Sequence, residues 1–412
     1  MFEIKYRDVA GRIGILNING KKLETPLLLP VINPKKDFFD IEILKKYKVK
    51  ALMTNAYILY RDSNLREILL ENGIKKFLNF HGIIETDSGS YQILRYKRDL
   101  EISNREIIEF QINIGSDIIN VLDIPTDIDK SYEEAKEELN ITLERIKEGI
   151  EIRNNLNKNI LINGAIQGGI YLDLRKKAAE EVSKLDVNIF AIGTIVPYMI
   201  KYKMKELFET IIEPRMILPL NKPVHLFGMG HTLVIPLAVS LGCDIFDSAS
   251  YILYAYDERI ITPYGTFKLE ELEYGYLETK NKIYEIKEVK EMEKEEKIKI
   301  IAENNLYNLL KEIEIVKDAI KNQYLMDLVL IKAHMHYSMY KATKFILEKY
   351  YDWLKKLDPV RKKSGIFYDG DLTKLRVDVR KALERLKERV EEKDIEDIYD
   401  YINPFNSFKN VK

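Results

Sequence analysis

One pattern recurs along the chain: a helix-like stretch, then a short apolar run ending in polar residues. The runs are 27–31, KALMTNAY (50–57), GIIETDS (82–88), IINVLDIPTD (118–127), ILINGAIQGG (160–169), NIFAIGT (188–194), PVHLFGMGH (223–231) and CDIFDSAS (243–250), about eight strands. The segments between them carry apolar residues at helical spacing. In 131–150, Ser131 and Glu134 make a capping box, and Ala135, Leu139, Leu143, Ile146 and Ile150 fall on one face. Strands alternating with amphipathic helices imply parallel βα units with right-handed crossovers. Eight units over about 250 residues predict an α/β fold of the (β/α)8 TIM-barrel type. A doubly wound open sheet is the competing reading, but no G-x-G-x-x-G opens a helix near the first strand.

The ends depart from this alternation. Residues 1–35 alternate short apolar segments with turns and read as an N-terminal β cap. Beyond residue 254 come a turn-rich stretch (262–277), a charge-dense run of mixed sign, and amphipathic helices at 306–321 and 338–356. From Asp358 a small region begins, with a basic-leaning helix at 371–390. The expected organisation is a catalytic barrel with its cap at 1–260, a C-terminal helical subdomain at 261–357, and an extension at 358–412.

Composition narrows the class. The 412 residues are 46% hydrophobic and 32% charged, which suits a large packed core. No apolar run approaches the roughly 18 residues of a membrane span, and the N-terminus lacks a signal-peptide core, so a cytoplasmic location is expected, with no membrane partner. The single cysteine, Cys243, excludes an internal disulfide and a cysteine-rich zinc site. A net charge of −1 argues against a wholly basic nucleic-acid coat.

The barrel would bring the polar strand ends to one rim: Asn55, Asp87, Asp123, Gln167, Thr194, His231 and Asp247. Asp87 and Asp247 each follow a buried apolar pair and precede small hydroxyl residues. Either alone also reads as an ordinary strand-ending turn. Facing one pocket, they suit glycosidic chemistry, one attacking the anomeric carbon and the other moving protons. Their spacing does not say which attacks. Asp123 and Gln167 offer an acceptor and a donor for an amide-bearing heterocycle, and Gly168-Gly169 permits close approach of a flat ligand. The five histidines make no metal site by spacing. His334 and His336, two apart, fall on different helix faces; His225 alternates with apolar neighbours and reads as a core or rim residue.

The ordered motifs DSGSYQ (87–92), NREIIEFQ (104–111), LDIPTD (122–127), IQGGIYLDLR (166–175), FAIGTIVP (190–197), PVHLFGMGH (223–231) and FDSASY (246–251) resemble the catalytic domain of tRNA-guanine transglycosylases, the archaeal type more closely. The resemblance covers roughly residues 1–370. It implies a barrel enzyme that exchanges guanine in tRNA, at position 15 of the D-loop, for 7-cyano-7-deazaguanine, in archaeosine biosynthesis. Asp247 would be the nucleophile on the ribose, giving a covalent aspartyl-ribose intermediate, and Asp87 the general acid/base. Asp123 and Gln167 would read the base edge, with Ser88, Gly168 and the backbone at Gly193-Thr194 around it and Tyr91 stacked on it. No ATP or redox cofactor is needed. The other expected reading is a catalytically inactive or conditional tRNA-binding paralogue or subunit.

Three departures from the family pattern stand out. The C-x-C-x-x-C zinc motif is replaced by GYLETKNK (275–282), and its histidine by Asn304, so no zinc or other cofactor is expected. Thr194 stands where the family has a second glycine. Archaeal members usually continue into RNA-binding modules ending in a PUA domain, and on this pattern RNA affinity would draw on the barrel, on Arg361, Lys362 and Lys363, or on a separate PUA-domain subunit. A homodimer is a further family expectation.

Overall fold

The computed structural model describes residues 2–35, 41–90, 102–157, 159–359 and 368–388. Strands β1 (Phe2–Asp8), β2 (Gly11–Ile18) and β3 (Lys21–Thr25) form an antiparallel sheet in that order. Eight strands follow: β4 (Leu27–Ile32), β5 (Ala51–Asn55), β6 (Ile83–Asp87), β7 (Ile118–Ile119), β8 (Leu161–Ile166), β9 (Ile189–Ile192), β10 (Val224–Leu226) and β11 (Ile245–Ser248). All pair in parallel and in chain order, and β11 closes onto β4 with Asp247 opposite Leu29. The closed barrel has the expected eight strands, each in its expected run.

Alternation along these strands sorts the side chains. Leu28, Leu52, Ile84, Ile119, Ile162 and Phe246 face outward into the core shared with the helices. Leu29, Ala51, Met53, Ile83, Ile118, Ile189 and Ile245 pack with Leu16, Ile18 and Leu23 of the N-terminal sheet. That sheet therefore caps the bottom of the barrel with apolar side chains. Arg12 of β2 fastens it, donating to both carboxylate oxygens of Asp244 at 2.6 and 2.7 Å. Two residues above the apolar layer, the same inward face turns polar, and it is this change that builds the site.

The helix at Tyr132–Leu156 begins with the expected Ser131–Glu134 capping box and buries Ala135, Leu139, Leu143 and Ile146, while Ile150 is half-buried. Beyond the barrel the structure is less uniform than the sequence pattern implies. Two hairpins interrupt the helical region, β12 (Arg259–Thr262) with β13 (Gly265–Lys268), and β14 (Tyr276–Glu278) with β15 (Ile283–Glu285). The expected helix at 338–356 is two, Tyr337–Lys349 and Tyr351–Leu357. The region 371–390 breaks at Arg376, whose extended ψ ends Asp371–Leu375 before Val377–Lys387 begins. The Arg376 guanidinium is held there by Asp327 and, at 2.8 Å, by Asp378. His334 and His336 do not ride on one helix: they cap the end of Leu325–Ala333 and the start of Tyr337–Lys349.

The 29-residue helix Lys294–Asn322 turns one side of the charge-dense run inward, burying Ile298, Ile301, Asn304 and Asn305. Its asparagines join this region together. Asn304 accepts from the Glu278 amide at 3.0 Å, and Asn305 accepts from Ile261 at 2.6 Å while donating to the carbonyls of Tyr251 and Arg259. Amides that stitch backbone groups are poor zinc ligands. Among the described residues, no group of three or more His, Cys, Asp or Glu side chains is placed to hold a metal ion.

Candidate active site

All seven rim residues named from the sequence line one cleft of about 1900 Å³ at the carboxyl ends of the strands. That volume exceeds the ~300–1,000 Å³ of an ordinary small-molecule pocket. Asn55 and Asp87 are register partners at the tips of β5 and β6. Asn55 accepts from the Ile58 amide, capping the next helix, and donates to Asp87 at 2.8 Å. The chain after Asp87 turns through Gly89, at φ +92°, where a Cβ would lie 2.3 Å from the Tyr57 side chain.

The carboxylates sit in different surroundings. Burial, then the charges of Asp123, Asp247 and Glu85, push Asp87 up to about 7, against a lowering hydrogen bond from the Gly89 amide. A carboxyl poised there exchanges a proton near neutral pH. Asp247, only 7% exposed, receives its hydrogen bonds on one oxygen: the Gly228 amide donates to Oδ1 at 2.9 Å, and His225 Nε2 lies 3.0 Å from it. Asp247 lines the cleft, and Oδ2 takes no part in these two bonds.

Asp123 and Gln167 form one unit across the floor. Gln167 Nε2 donates to Asp123 Oδ2 at 2.6 Å, and Gln167 Oε1 accepts from the Thr194 hydroxyl at 2.8 Å. Burial raises Asp123, partly offset by hydrogen bonds from Gln167 and Ser90. Gly193 is needed for contact: a Cβ there would lie 2.3 Å from Gln167 Nε2.

Two expected base-site residues lie behind the wall. Ser88 is fully buried and shares a hydrogen bond with Ser90, and Ser90 is the hydroxyl that lines the cleft. Gly168, at φ +135°, is pressed against the backbone of Leu174 and Arg175, so its missing side chain serves helix packing. Tyr91, Arg361, Lys362 and Lys363 lie outside the described residues. His231 lines the cleft and accepts from the Leu233 amide; burial, with Lys332 and His336 nearby, lowers it to about 4.

A polar layer beneath the rim was not singled out in the sequence. Glu85, fully buried on β6, accepts from Asn120 at 3.1 Å and Asn163 at 2.7 Å, and its Oε1 is 3.3 Å from His225 Nδ1. Glu85 and Asp87 are two apart in a strand, which places them on the same inward face. That period-2 relation is the signal that marks Glu85.

A parallel barrel whose strand ends bring two carboxylates over a floor of amide and carboxylate defines the class: a (β/α)8 protein with a site of glycosyl-transfer type. The profile of the queuine tRNA-ribosyltransferase family matches residues 8–338, and the chain belongs to that family. It is 51% identical over 408 residues to the tRNA-guanine(15) transglycosylase of Nanoarchaeum equitans, covering 99% of this chain and 95% of that protein. Proteins of the same name from Methanocaldococcus jannaschii and Pyrococcus furiosus are 45% and 48% identical over 94% and 89% of this chain. The chain spans 59% and 62% of those two relatives. Among the described residues, no helix is long and apolar enough to cross a membrane.

Proposed function

We propose that the chain exchanges guanine in tRNA, at position 15, for 7-cyano-7-deazaguanine, the base-exchange step of archaeosine formation. The observation carrying this reading is the pairing of Asp87 and Asp247 in one cleft with the Asp123–Gln167 unit. Asp247 attacks the anomeric carbon of the ribose through Oδ2. The bond to the guanine nitrogen breaks as the aspartyl-ribose bond forms, and the departing electron pair takes the proton of Asp87. The incoming base returns a proton to Asp87 as its nitrogen displaces Asp247. Atoms and charge balance with no oxidant, nucleotide or metal, so the reading includes no cofactor.

The relatives' names supply the tRNA and the position; the base site and the rim support them. Asp123 and Gln167 offer an acceptor and an amide to the edge of a guanine-like heterocycle. Arg61, Arg259, Lys299, Tyr202, Tyr254 and Tyr264 line the outer cleft, a mixture of cations and rings suited to phosphates and unstacked bases. The test is incubation of the purified chain with tRNA and radiolabelled guanine. Incorporation of label, together with an RNA–protein adduct that survives a denaturing gel and vanishes in Asp247→Ala, is the expected result. Neither label nor adduct in the parent protein would overturn the reading.

A further inference from the structure

The acid pair accounts for bond exchange, but not for the polar layer under Asp247. The inside of a small barrel is ordinarily filled by apolar side chains. Here His225 is wholly buried, and carboxylates stand on both of its nitrogens: Asp247 Oδ1 at 3.0 Å from Nε2 and Glu85 Oε1 at 3.3 Å from Nδ1. The first contact is a hydrogen bond; the second is within ion-pair distance but out of line for one. The Phe227 ring meets the imidazole edge-on at 4.6 Å and restricts its rotation. Glu85 is itself fixed by the Asn120 and Asn163 amides on Oε1, and Asn163 donates again to Asn120 at 2.9 Å.

We infer that Glu85 and His225 form a buried relay that positions Asp247, His225 as the donor on Oδ1 and Glu85 as the second counter-charge of the imidazole. This rests on the base-exchange reading above. An imidazole with a carboxylate hydrogen-bonded to one nitrogen and a second carboxylate within ion-pair distance of the other is favoured as the cation. Burial opposes that charge, yet Glu85 and Asp247 outweigh it and raise His225 to about 9.

The arrangement has a use at each half of the exchange. With Oδ1 held by His225 and the Gly228 amide, Oδ2 is the oxygen presented to the ribose. Once Oδ2 is esterified, Asp247 is neutral and no longer balances the imidazolium; Glu85 still does. The hydrogen bond on Oδ1, now an ester carbonyl, then favours departure of Asp247 as carboxylate when the second base attacks. No proton leaves His225 in either step, so it is a positioning residue.

The test measures adduct formation in a single turnover, tRNA binding and thermal unfolding for the parent chain, His225→Gln, Glu85→Gln and the double variant. Both single variants keep a side chain of similar size and hydrogen-bonding capacity, which guards the fold. The relay predicts adduct formation slowed roughly 10- to 100-fold in His225→Gln, with tRNA affinity within about twofold of the parent. Because the two residues act as a unit, the double variant is no more than about threefold slower than the slower single one. Variants that react at the parent rate, losses that reside in tRNA binding, or losses that multiply in the double variant overturn the relay while the parent's activity leaves the base-exchange reading standing. A parent chain that forms no adduct removes both.

Discussion

The Thr194 hydroxyl donates to Gln167 Oε1 at 2.8 Å from a backbone held at φ +57°. A β-branched residue in the left-handed region is costly, about 1–3 kcal/mol, and the bond sets which way the Gln167 amide points. With Oε1 so held, Nε2 is the end directed at Asp123. The strained threonine thus orients the unit that would read the base.

Replacing Thr194 separates strain from orientation. Thr194→Gly should raise the unfolding temperature slightly, a net gain of about 0.5–1 kcal/mol after the added freedom of glycine in the unfolded chain. The same variant should raise KM for the incoming base several-fold, because the Gln167 amide is free to rotate. Thr194→Ser keeps the hydroxyl and should leave that KM near the parent value. Steady-state exchange kinetics and calorimetry on the three proteins check both halves.

Asp87 links activity to pH. Its carboxyl sits near 3.8 in its ordinary state and about 7 in the fold, through burial and then the neighbouring Asp123, Asp247 and Glu85. The folded state holds the proton more tightly than the unfolded chain. Stability from this group is therefore complete below about pH 4 and declines as pH rises through 7. Asp87→Asn should be more stable than the parent at pH 8, by on the order of 2–4 kcal/mol, with the gap closing below pH 4. The same variant should lose exchange activity by at least about 10²-fold, and the parent's rate of adduct formation should fall above pH 7 as the acid is lost. Denaturant titrations at pH 4 and 8 and a single-turnover pH series measure these effects.

Asn305 is expected to support the region after the barrel by hydrogen bonding. It is fully buried, and its amide satisfies the Ile261 amide and the carbonyls of Tyr251 and Arg259. Asn305→Ala leaves those groups without partners away from water, a loss on the order of 2–4 kcal/mol. Chelators should leave the parent's unfolding temperature unchanged, and elemental analysis should find zinc well below one per chain. A stoichiometric metal would contradict the amide network as the support of this region.

Where the sequence was legible follows from how each part is stabilised. The barrel strands are short apolar runs separated by amphipathic helices, one of them opened by the Ser131–Glu134 capping box, and each of those signals is local. Asp87 and Asp247 are legible because both stand at the end of such a run. The hairpin β14–β15 is not: each strand has three residues, Tyr276 and Ile283 are exposed, and the pair of Leu277 with Tyr284 is too short a pattern to mark a strand. His225 and Glu85 are harder still. His225 is one polar residue between apolar neighbours, Glu85 stands beside the more conspicuous Asp87, and only closure of the barrel brings β6 and β10 to the two sides of one polar layer. Ser88 was expected where Ser90 lies, because the turn at Gly89 decides which hydroxyl reaches the cleft.

The cap and the barrel meet in the Arg12–Asp244 pair, and its removal should uncouple them. Arg12 is 2% exposed; besides the two bonds to Asp244 it donates to the carbonyls of Leu220 and Lys222 at 2.5 and 2.8 Å. Asp244 also accepts from the Val224 amide at 2.8 Å. Breaking a buried pair from one side leaves an uncompensated charge, so Asp244→Leu and Arg12→Met should each cost about 3–5 kcal/mol. An apolar double variant, Arg12→Met with Asp244→Leu, buries no lone charge and should lose less than the two single losses combined. It should not return to the parent's stability, since the carbonyls of Leu220 and Lys222 and the Val224 amide would still lack their partners. Chemical denaturation of all four proteins gives the coupling directly; strict additivity would mean that the two side chains stabilise the cap independently.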